Sequence, residues 1–433
     1  MDKFVIEGGR ALRGTVRVKG SKNAALPMMA ASLLLDPGER LLLRGVPALS
    51  DIKTMSLLLG KLGVRVERAG ETLTLKVLDD SRIEAPYEIV RQMRASICVL
   101  GPLVGRRRAA RVSQPGGCVI GVRPVDLHVR GLQQLGAAVA QEHGYLLAQA
   151  RRLVGRTLYL GGAFGSTVTG TENVLMAAVL AQGITVIECA ACEPEVQALA
   201  LLLNEMGAKI QGIGSPRLVV HGVRRLRGAE ADVIPDRVEA GTFMAAAAIT
   251  GGDVRIENAR ADHLVGVVEH FRAAGIHIET GPDWIRVMSN GLFKPVDVAT
   301  LPYPGFPTDM QAQFMALMTL GDGITVITEK IYPDRFMHVA ELGRMGARIR
   351  KEGSCAIIEG VKSLHGAEVM ASDLRASASL VVAALAAEGS TEIHRVYHLD
   401  RGYDHLERRL NALGARVQRV EEKKAALLVR EAV

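Results

Sequence analysis

The run Gln114-Pro115-Gly116-Gly117-Cys118-Val119-Ile120-Gly121-Val122-Arg123-Pro124 sets one cysteine among three glycines and two prolines. Such a stretch cannot sustain a regular backbone ladder, so it reads as a loop able to act as a lid, with its thiol exposed. A cation close by favours the thiolate, and Arg123 stands in the same loop. Cys118 thus has the profile of a reactive cysteine. The other four are Cys98, Cys189, Cys192 and Cys355. Cys98 falls in an apolar run and Cys355 beside a predicted strand, which is a packing role. Cys189 and Cys192 spell C-x-x-C, but no second pair completes a zinc site and no thioredoxin-like context surrounds them. The 11 histidines show no ligand spacing, so no metal and no other cofactor is expected.

Charged residues recur where buried helices should open. The openings are Ser21-Lys22-Asn23, Met93-Arg94-Ala95-Ser96, Thr171-Glu172-Asn173, Arg237-Val238-Glu239, Thr308-Asp309-Met310 and Leu374-Arg375-Ala376-Ser377. Ser and Thr there are ordinary caps, and Asp309 suits the helix dipole. Lys22, Arg94, Arg237 and Arg375 do not, since a cation at a helix N-terminus costs roughly 0.3–1 kcal/mol. Asp334-Arg335 and Asp400-Arg401 repeat the theme, and Asp51, Asp126 and Asp262 stand at cap-like positions. The set makes sense if anions settle at these helix ends, because a cation and an anion ~4 Å apart attract by about 4 kcal/mol at an effective dielectric of ~20. Gly161-Gly162-Ala163-Phe164-Gly165-Ser166 is Gly-rich and leads to a helix, which fits either a phosphate cradle or a turn; it lacks the Gly-Lys-Ser/Thr ending of a P-loop.

The elements that carry these residues repeat. An apolar helix end, a glycine and a short strand recur as LLLGKLGVRVE, GLQQLGAAVAQ, LLLNEMGAKIQ, VEHFRAAGIHIE, AELGRMGARIR and RRLNALGARVQ, around Gly63, Gly136, Gly207, Gly275, Gly346 and Gly414. In the first copy Met55, Leu58, Leu59 and Leu62 line one helix face, Gly63 is a left-handed C-cap, and Val64-Arg65-Val66-Glu67 alternates as a strand. Each copy also holds an Ala-rich helix, apolar nearly all round and so buried, at roughly 23–35, 95–104, 172–182, 239–249, 309–320 and 375–387. The chain is therefore α/β, six units grouping as three plus three into two similar domains, with a boundary near Ala231–Pro235. The first ~20 residues read as a strand that could complete either domain.

The 433 residues suit two domains, and 48% hydrophobic with 23% charged residues is a globular composition. Aromatics at 4% make the core aliphatic. The net charge of +7 suits a phosphate- or carboxylate-bearing partner. Arg106-Arg107-Arg108 lacks aromatic neighbours or a groove-reading motif, so no nucleic acid is expected. No stretch suits a membrane span and no apolar region follows the N-terminus, so a cytoplasmic protein without a membrane partner is expected.

SKNAALP (21–27), MRAS (93–96), PGGCVIGVRPVDL (115–127), PDRVEAGTF (235–243), FPTDMQAQF (306–314), RFMH (335–338), DLRASASL (373–380) and HLDRGY (398–403) together resemble the enolpyruvyl transferase family, in its nucleotide-sugar branch, over essentially the whole chain. The resemblance implies an inside-out α/β barrel, two similar domains of three repeats each. The first would span 22–232 and carry the cysteine loop; the second would comprise 1–21 and 233–433, with the active site in the cleft between them. It implies transfer of the enolpyruvyl group of phosphoenolpyruvate to the 3′-hydroxyl of UDP-N-acetylglucosamine, with release of phosphate. By the same resemblance Cys118 is the proton donor and Asp309 the general base, while Lys22, Arg123 and Arg401 clamp phosphate and carboxylate. Asn23, Arg94, Arg123, Pro124, Val125, Asp126, Leu127, Asp309 and Ile331 contact the nucleotide sugar, and Arg335 and Arg375 add charged lining. Fosfomycin is the expected covalent inhibitor, at Cys118. The rival acceptor is shikimate 3-phosphate, used by the sister branch. Family members often carry Lys-x-Ser-Val before Gly-Ala-Thr; here Gly161-Gly162-Ala163-Phe164 precedes Gly165-Ser166-Thr167, which leaves the nucleotide contacts of that loop open.

Overall fold

Six four-stranded sheets are built to one plan in the computed structural model, which describes residues 2–115 and 125–421. In each, an outer strand runs parallel to its neighbour, and that neighbour leads into two antiparallel strands. The first sheet shows it: Glu230–Asp232 pairs in parallel with Arg40–Arg44, which pairs antiparallel with Thr72–Val77, which pairs antiparallel with Val64–Ala69. Its outer strand is thus taken from the far end of the third repeat.

The opening strand Asp2–Glu7, whose sheet the residues alone leave open, lies between Ser390–His394 and Arg416–Glu421 in the last sheet. Phe4 and Ile6 alternate inward there, both wholly buried in the core of the C-terminal repeats. By internal contact, residues up to Val18, Arg237–Leu301 and those from Gly305 on form one unit, and Lys19–Asp236 with Pro302–Pro304 the other.

All six repeat glycines adopt left-handed backbone, from φ 85° at Gly63 to φ 101° at Gly136 and Gly207. That conformation ends each outer helix and turns the chain into its strand. Inside each unit three inner helices lie beneath the sheets, and in the unit with the C-terminal repeats all three pack on one another. In the unit with the C-terminal repeats they are Arg237–Ile249, Thr308–Met318 and Leu374–Ala386. Lys22–Ala30, Leu100–Arg107 and Val168–Ala178 are their counterparts in the other unit.

Three of these helices differ from the sequence expectation, the first being α-helical only to Ala30 and continuing as the 3-10 segment Ala31–Leu34. The stretch 95–104 is not one helix: a 3-10 segment, Arg94–Val99, precedes the α-helix Leu100–Arg107. Pro102 has no N–H to donate back to Cys98, so the regular helix begins where Pro102 falls in its first turn. The third inner helix opens at Val168, ahead of the expected Thr171, because the Thr167 side chain accepts from Gly170 N and caps it there.

Small residues let the inner helices approach. A Cβ on Gly101 would lie 2.0 Å from the Asn173 carbonyl oxygen. Asn173 then locks the contact: its Oδ1 accepts from Gly101 N at 2.7 Å, and its Nδ2 donates to Ile97 O and His128 Nδ1, each at 2.8 Å. Burial, helped by the charge of Arg94, pushes the His128 pKa down to about 3, so this imidazole is a neutral acceptor.

A matched pair of substitutions tests this packing. Gly101→Ala should destabilise by about 1–3 kcal/mol through overpacking. Gly60→Ala, in the outer helix Ser50–Lys61 with nothing within 4 Å of the new methyl, should be neutral or stabilise by up to about 1 kcal/mol. Urea denaturation of both measures the difference; equal stabilities would contradict the close helix contact.

Candidate active site

Asp309, the second residue of the helix Thr308–Met318, is gripped by two arginines distant in sequence. Arg335 Nη1 donates to Asp309 Oδ1 at 2.8 Å, and Arg375 Nε donates to Asp309 Oδ2 at 3.3 Å. Both guanidinium groups are buried, their side chains only 7% and 3% exposed, whereas that of Asp309 keeps 27%. The carboxylate alone of the three retains an open side. Burial by itself would lower the pKa of Arg335; the charges of Asp309, Asp373 and Glu329 outweigh it and hold that pKa above its ordinary value. Two guanidinium donors favour the charged form of the carboxylate that they meet.

A second carboxylate fixes the surroundings of the first. Glu329 is wholly buried and follows the strand Ile324–Thr328. Its Oε1 accepts from Thr300 Oγ1 at 2.7 Å and from Ile331 N and Tyr332 N at 2.9 Å each. Its Oε2 accepts from Thr308 Oγ1 at 3.0 Å, and that hydroxyl accepts in turn from Arg335 Nη1 at 2.9 Å. Ile331, expected to touch the nucleotide sugar, thus has its backbone set by the network that holds Asp309. Arg401 ends the 3-10 segment Val396–Arg401 in the same unit, half-buried, and its charge helps to lower the pKa of His398, which burial lowers first.

In the other unit Lys22 is not a bare cation at a helix end. It is 8% exposed, and its Nζ donates to Asp51 Oδ2 at 2.9 Å, Asp51 itself being 4% exposed. The first-turn aspartate of the outer helix Ser50–Lys61 thereby offsets the cost of Lys22 at the start of Lys22–Ala30. Asn23 follows, half-buried, behind the Ser21 cap. Arg94, also half-buried, opens its 3-10 segment. Val125 precedes the helix Asp126–Gln134, Asp126 is exposed, and Leu127 packs at the Gly-rich turn, where a Cβ on Gly162 would lie 3.2 Å from Leu127 Cδ1. Arg130 Nη2 braces this helix by donating to Tyr159 O at 2.8 Å and Gly161 O at 2.9 Å. The 161–166 segment itself closes as a tight turn, Gly162 N donating to Gly165 O at 2.8 Å.

The structure therefore brings Asp309, Arg335 and Arg375 together in one unit. Lys22 with Asp51 stands in the other, as do Arg94 and Val125 to Leu127. Cys118, Arg123 and Pro124 lie outside the described residues. Of the remaining cysteines Cys98 is buried, and burial, with Glu172 beside it, pushes its thiol pKa well up. Burial likewise raises that of Cys192. Among the described residues no cluster of His, Cys, Asp or Glu is arranged to hold a metal ion, and no helix is long and apolar enough to cross a membrane. Sequence reasoning missed Glu329, whose one local signal is a carboxylate directly after an alternating strand. It also gave Asp51 a cap position without pairing it to Lys22.

Comparisons with known proteins place this arrangement. A sequence model of the family described as EPSP synthase (3-phosphoshikimate 1-carboxyvinyltransferase) matches residues 6–410. Among curated proteins, a UDP-N-acetylglucosamine 1-carboxyvinyltransferase of Desulfatibacillum aliphaticivorans is 54% identical over 97% of this chain and all of its own length. One of Desulfosudis oleivorans is 53% identical, again over 97% of this chain and all of its own length. Among solved structures, the enolpyruvyl transferase NikO of Streptomyces tendae superposes with a TM-score of 0.88 at 24% identity, covering 96% of this chain and 98% of that one. EPSP synthase of Acinetobacter baumannii gives 0.73 at 20% identity, over 97% of this chain and all of that one. These two share the fold, the inside-out α/β barrel that the six matching sheets and two sets of inner helices build here. With a match across nearly its whole length and relatives above half identity, the chain belongs to the enolpyruvyl transferase family that includes EPSP synthase.

Proposed function

We propose that this protein transfers the enolpyruvyl group of phosphoenolpyruvate to the 3′-hydroxyl of UDP-N-acetylglucosamine, releasing phosphate, as the first committed step of peptidoglycan synthesis in the cytoplasm. One observation carries the reading: the residues that hold Asp309 between two buried guanidinium groups occur in a chain 54% identical, end to end, to a protein named for that reaction.

The chemistry runs by addition and elimination. A proton delivered to C3 of phosphoenolpyruvate makes C2 electrophilic. The sugar hydroxyl adds to C2, and its proton passes to a base. The tetrahedral ketal then loses a proton from C3 while the C2–O bond to phosphate breaks. Cys118 serves as the acid over C3, and Asp309 receives the hydroxyl proton, each such group being worth about 10²–10⁴ in rate.

Lys22, Arg123 and Arg401 bring positive charge to the phosphate and carboxylate of phosphoenolpyruvate, stabilising the phosphate as it departs. The pairing of Lys22 with Asp51 fixes a long side chain that would otherwise sample many rotamers. Asn23, Arg94, Arg123, Pro124, Val125, Asp126, Leu127 and Ile331 bind the nucleotide sugar, Asp309 orients its hydroxyl, and Arg335 and Arg375 hold that carboxylate in place.

The acceptor is tested by phosphate release from phosphoenolpyruvate with UDP-N-acetylglucosamine and shikimate 3-phosphate supplied in turn. Release with the nucleotide sugar alone is expected. Release with shikimate 3-phosphate alone would move the protein to the sister branch.

The acid is tested at Cys118. Cys118→Ser should lower kcat by about 10²–10⁴, while Cys118→Asp, which can still donate a proton, keeps part of it. In the wild type the epoxide fosfomycin should add its mass to the peptide that holds Cys118, as read by mass spectrometry. An unmodified peptide at large drug excess, with full activity in Cys118→Ser, would remove this residue from the mechanism.

A further inference from the structure

The second partner of Arg375 lies deeper than Asp309. Its Nη1 donates to the Tyr403 hydroxyl at 3.1 Å, and its guanidinium carbon stands 5.5 Å from the centre of the Tyr403 ring. Tyr403 is 1% exposed, in the segment that follows Arg401. Its hydroxyl lies 2.8 Å from Thr242 Oγ1, on the inner helix Arg237–Ile249. Thr242 Oγ1 in turn donates to Val238 O at 2.8 Å and accepts from Gln313 Nε2 at 3.2 Å.

The directions of these bonds follow from counting protons. A hydroxyl has one proton, and a guanidinium has donors but no acceptor. Thr242 gives its proton to the Val238 carbonyl, so it can only accept from Tyr403. The Tyr403 hydroxyl therefore donates to Thr242 and accepts from Arg375. Donors run one way, from Arg375 through Tyr403 and Thr242 to Val238, and each bond polarises the next. Backbone packing fixes the same place: a Cβ on Gly402 would lie 2.6 Å from Leu374 Cδ2, so the chain beside Tyr403 presses on the helix that carries Arg375.

We propose that Tyr403 is a positioning residue: its hydroxyl, oriented by Thr242, aims the Arg375 guanidinium at the Asp309 carboxylate. An arginine side chain has several rotatable bonds, and a partly open carboxylate at one end does not select among its rotamers. Phenylalanine would fill the same space, so packing alone gives no reason for the hydroxyl. The inference rests on the reading of Asp309 as the base.

The test is a double-mutant cycle of Tyr403→Phe and Thr242→Val in the full-length protein, with Thr242→Ser as the variant that keeps the hydroxyl. Thermal melts establish that each is folded. Initial rates then give kcat and KM for phosphoenolpyruvate and for the acceptor the wild type turns over. Tyr403→Phe should lose about tenfold to a hundredfold in kcat, the range for one hydrogen bond to a charged group, with both KM values within about twofold. Thr242→Val should lose a comparable amount and Thr242→Ser should keep most of the activity. The double variant should be no slower than the worse single, because both changes break one chain.

Losses that multiply, or a Tyr403→Phe kcat within twofold of wild type, would overturn the proposal. A wrong acceptor shows already in the wild type, which then works with shikimate 3-phosphate and serves for the same cycle. A wrong role for Tyr403 shows only in the variants.

Discussion

Two buried guanidinium groups must be stabilised, and Asp309 is the carboxylate that both of them meet, with Asp373 and Glu329 adding charge at Arg335. Removing a charge from water is expensive, and attraction offsets the cost only when geometry is good and remaining donors are satisfied. Arg335 meets this condition through Asp309 and Thr308, and Arg375 through Asp309 and Tyr403. Each outer partner passes the bond on, Thr308 to Glu329 and Tyr403 to Thr242. The carboxylate thus sits at the meeting point of two anchored series. Its position is decided by partners on elements distant in sequence as well as by the first turn of its own helix.

That requirement explains the architecture around it. Three helices have to bring residues 242, 309 and 375 within reach of one another, and bulky side chains at their contacts would prevent it. Gly241 meets the Met310 side chain so closely that a Cβ there would lie 2.6 Å from its sulfur. The alanine-rich composition of these helices is the same solution at larger scale. The other unit uses a simpler version of the same device, in which Asp51, from the adjoining outer helix, neutralises the buried Lys22. Buried cations in both units thus meet carboxylates, Lys22 with Asp51, and Arg335 and Arg375 sharing Asp309.

Much of the framework was legible in the sequence because it rests on local rules. The period of the glycines gave the six repeats, and each glycine has the left-handed backbone its position implied. Helix ends were less legible. Pro102 split one inner helix, and Thr167 capped another ahead of the expected start, since a cap depends on which hydroxyl meets a free N–H. The sheet of the opening strand was not readable, because its partners lie almost a full chain length away. Within the candidate site, Asp309, Arg335 and Arg375 were named from motifs, whereas their mutual pairing was not. Glu329 and Thr242 escaped notice for the same reason: nothing local marks a residue whose partners come from other repeats. The basic helix openings point to bound anions, and the structure adds that Lys22 pairs with Asp51 while Arg375 shares Asp309 with Arg335.

The role proposed for Asp309 is that of a base, beyond that of counter-ion to two arginines. Asparagine at 309 keeps the shape and one accepting oxygen for the guanidinium groups, but it presents an NH2 donor in place of the second oxygen and cannot take up the hydroxyl proton. Steady-state kinetics of folded Asp309→Asn decide the matter. The account predicts a kcat lower by about 10²–10⁴, with the KM for phosphoenolpyruvate little changed. Turnover within a few-fold of wild type would contradict it.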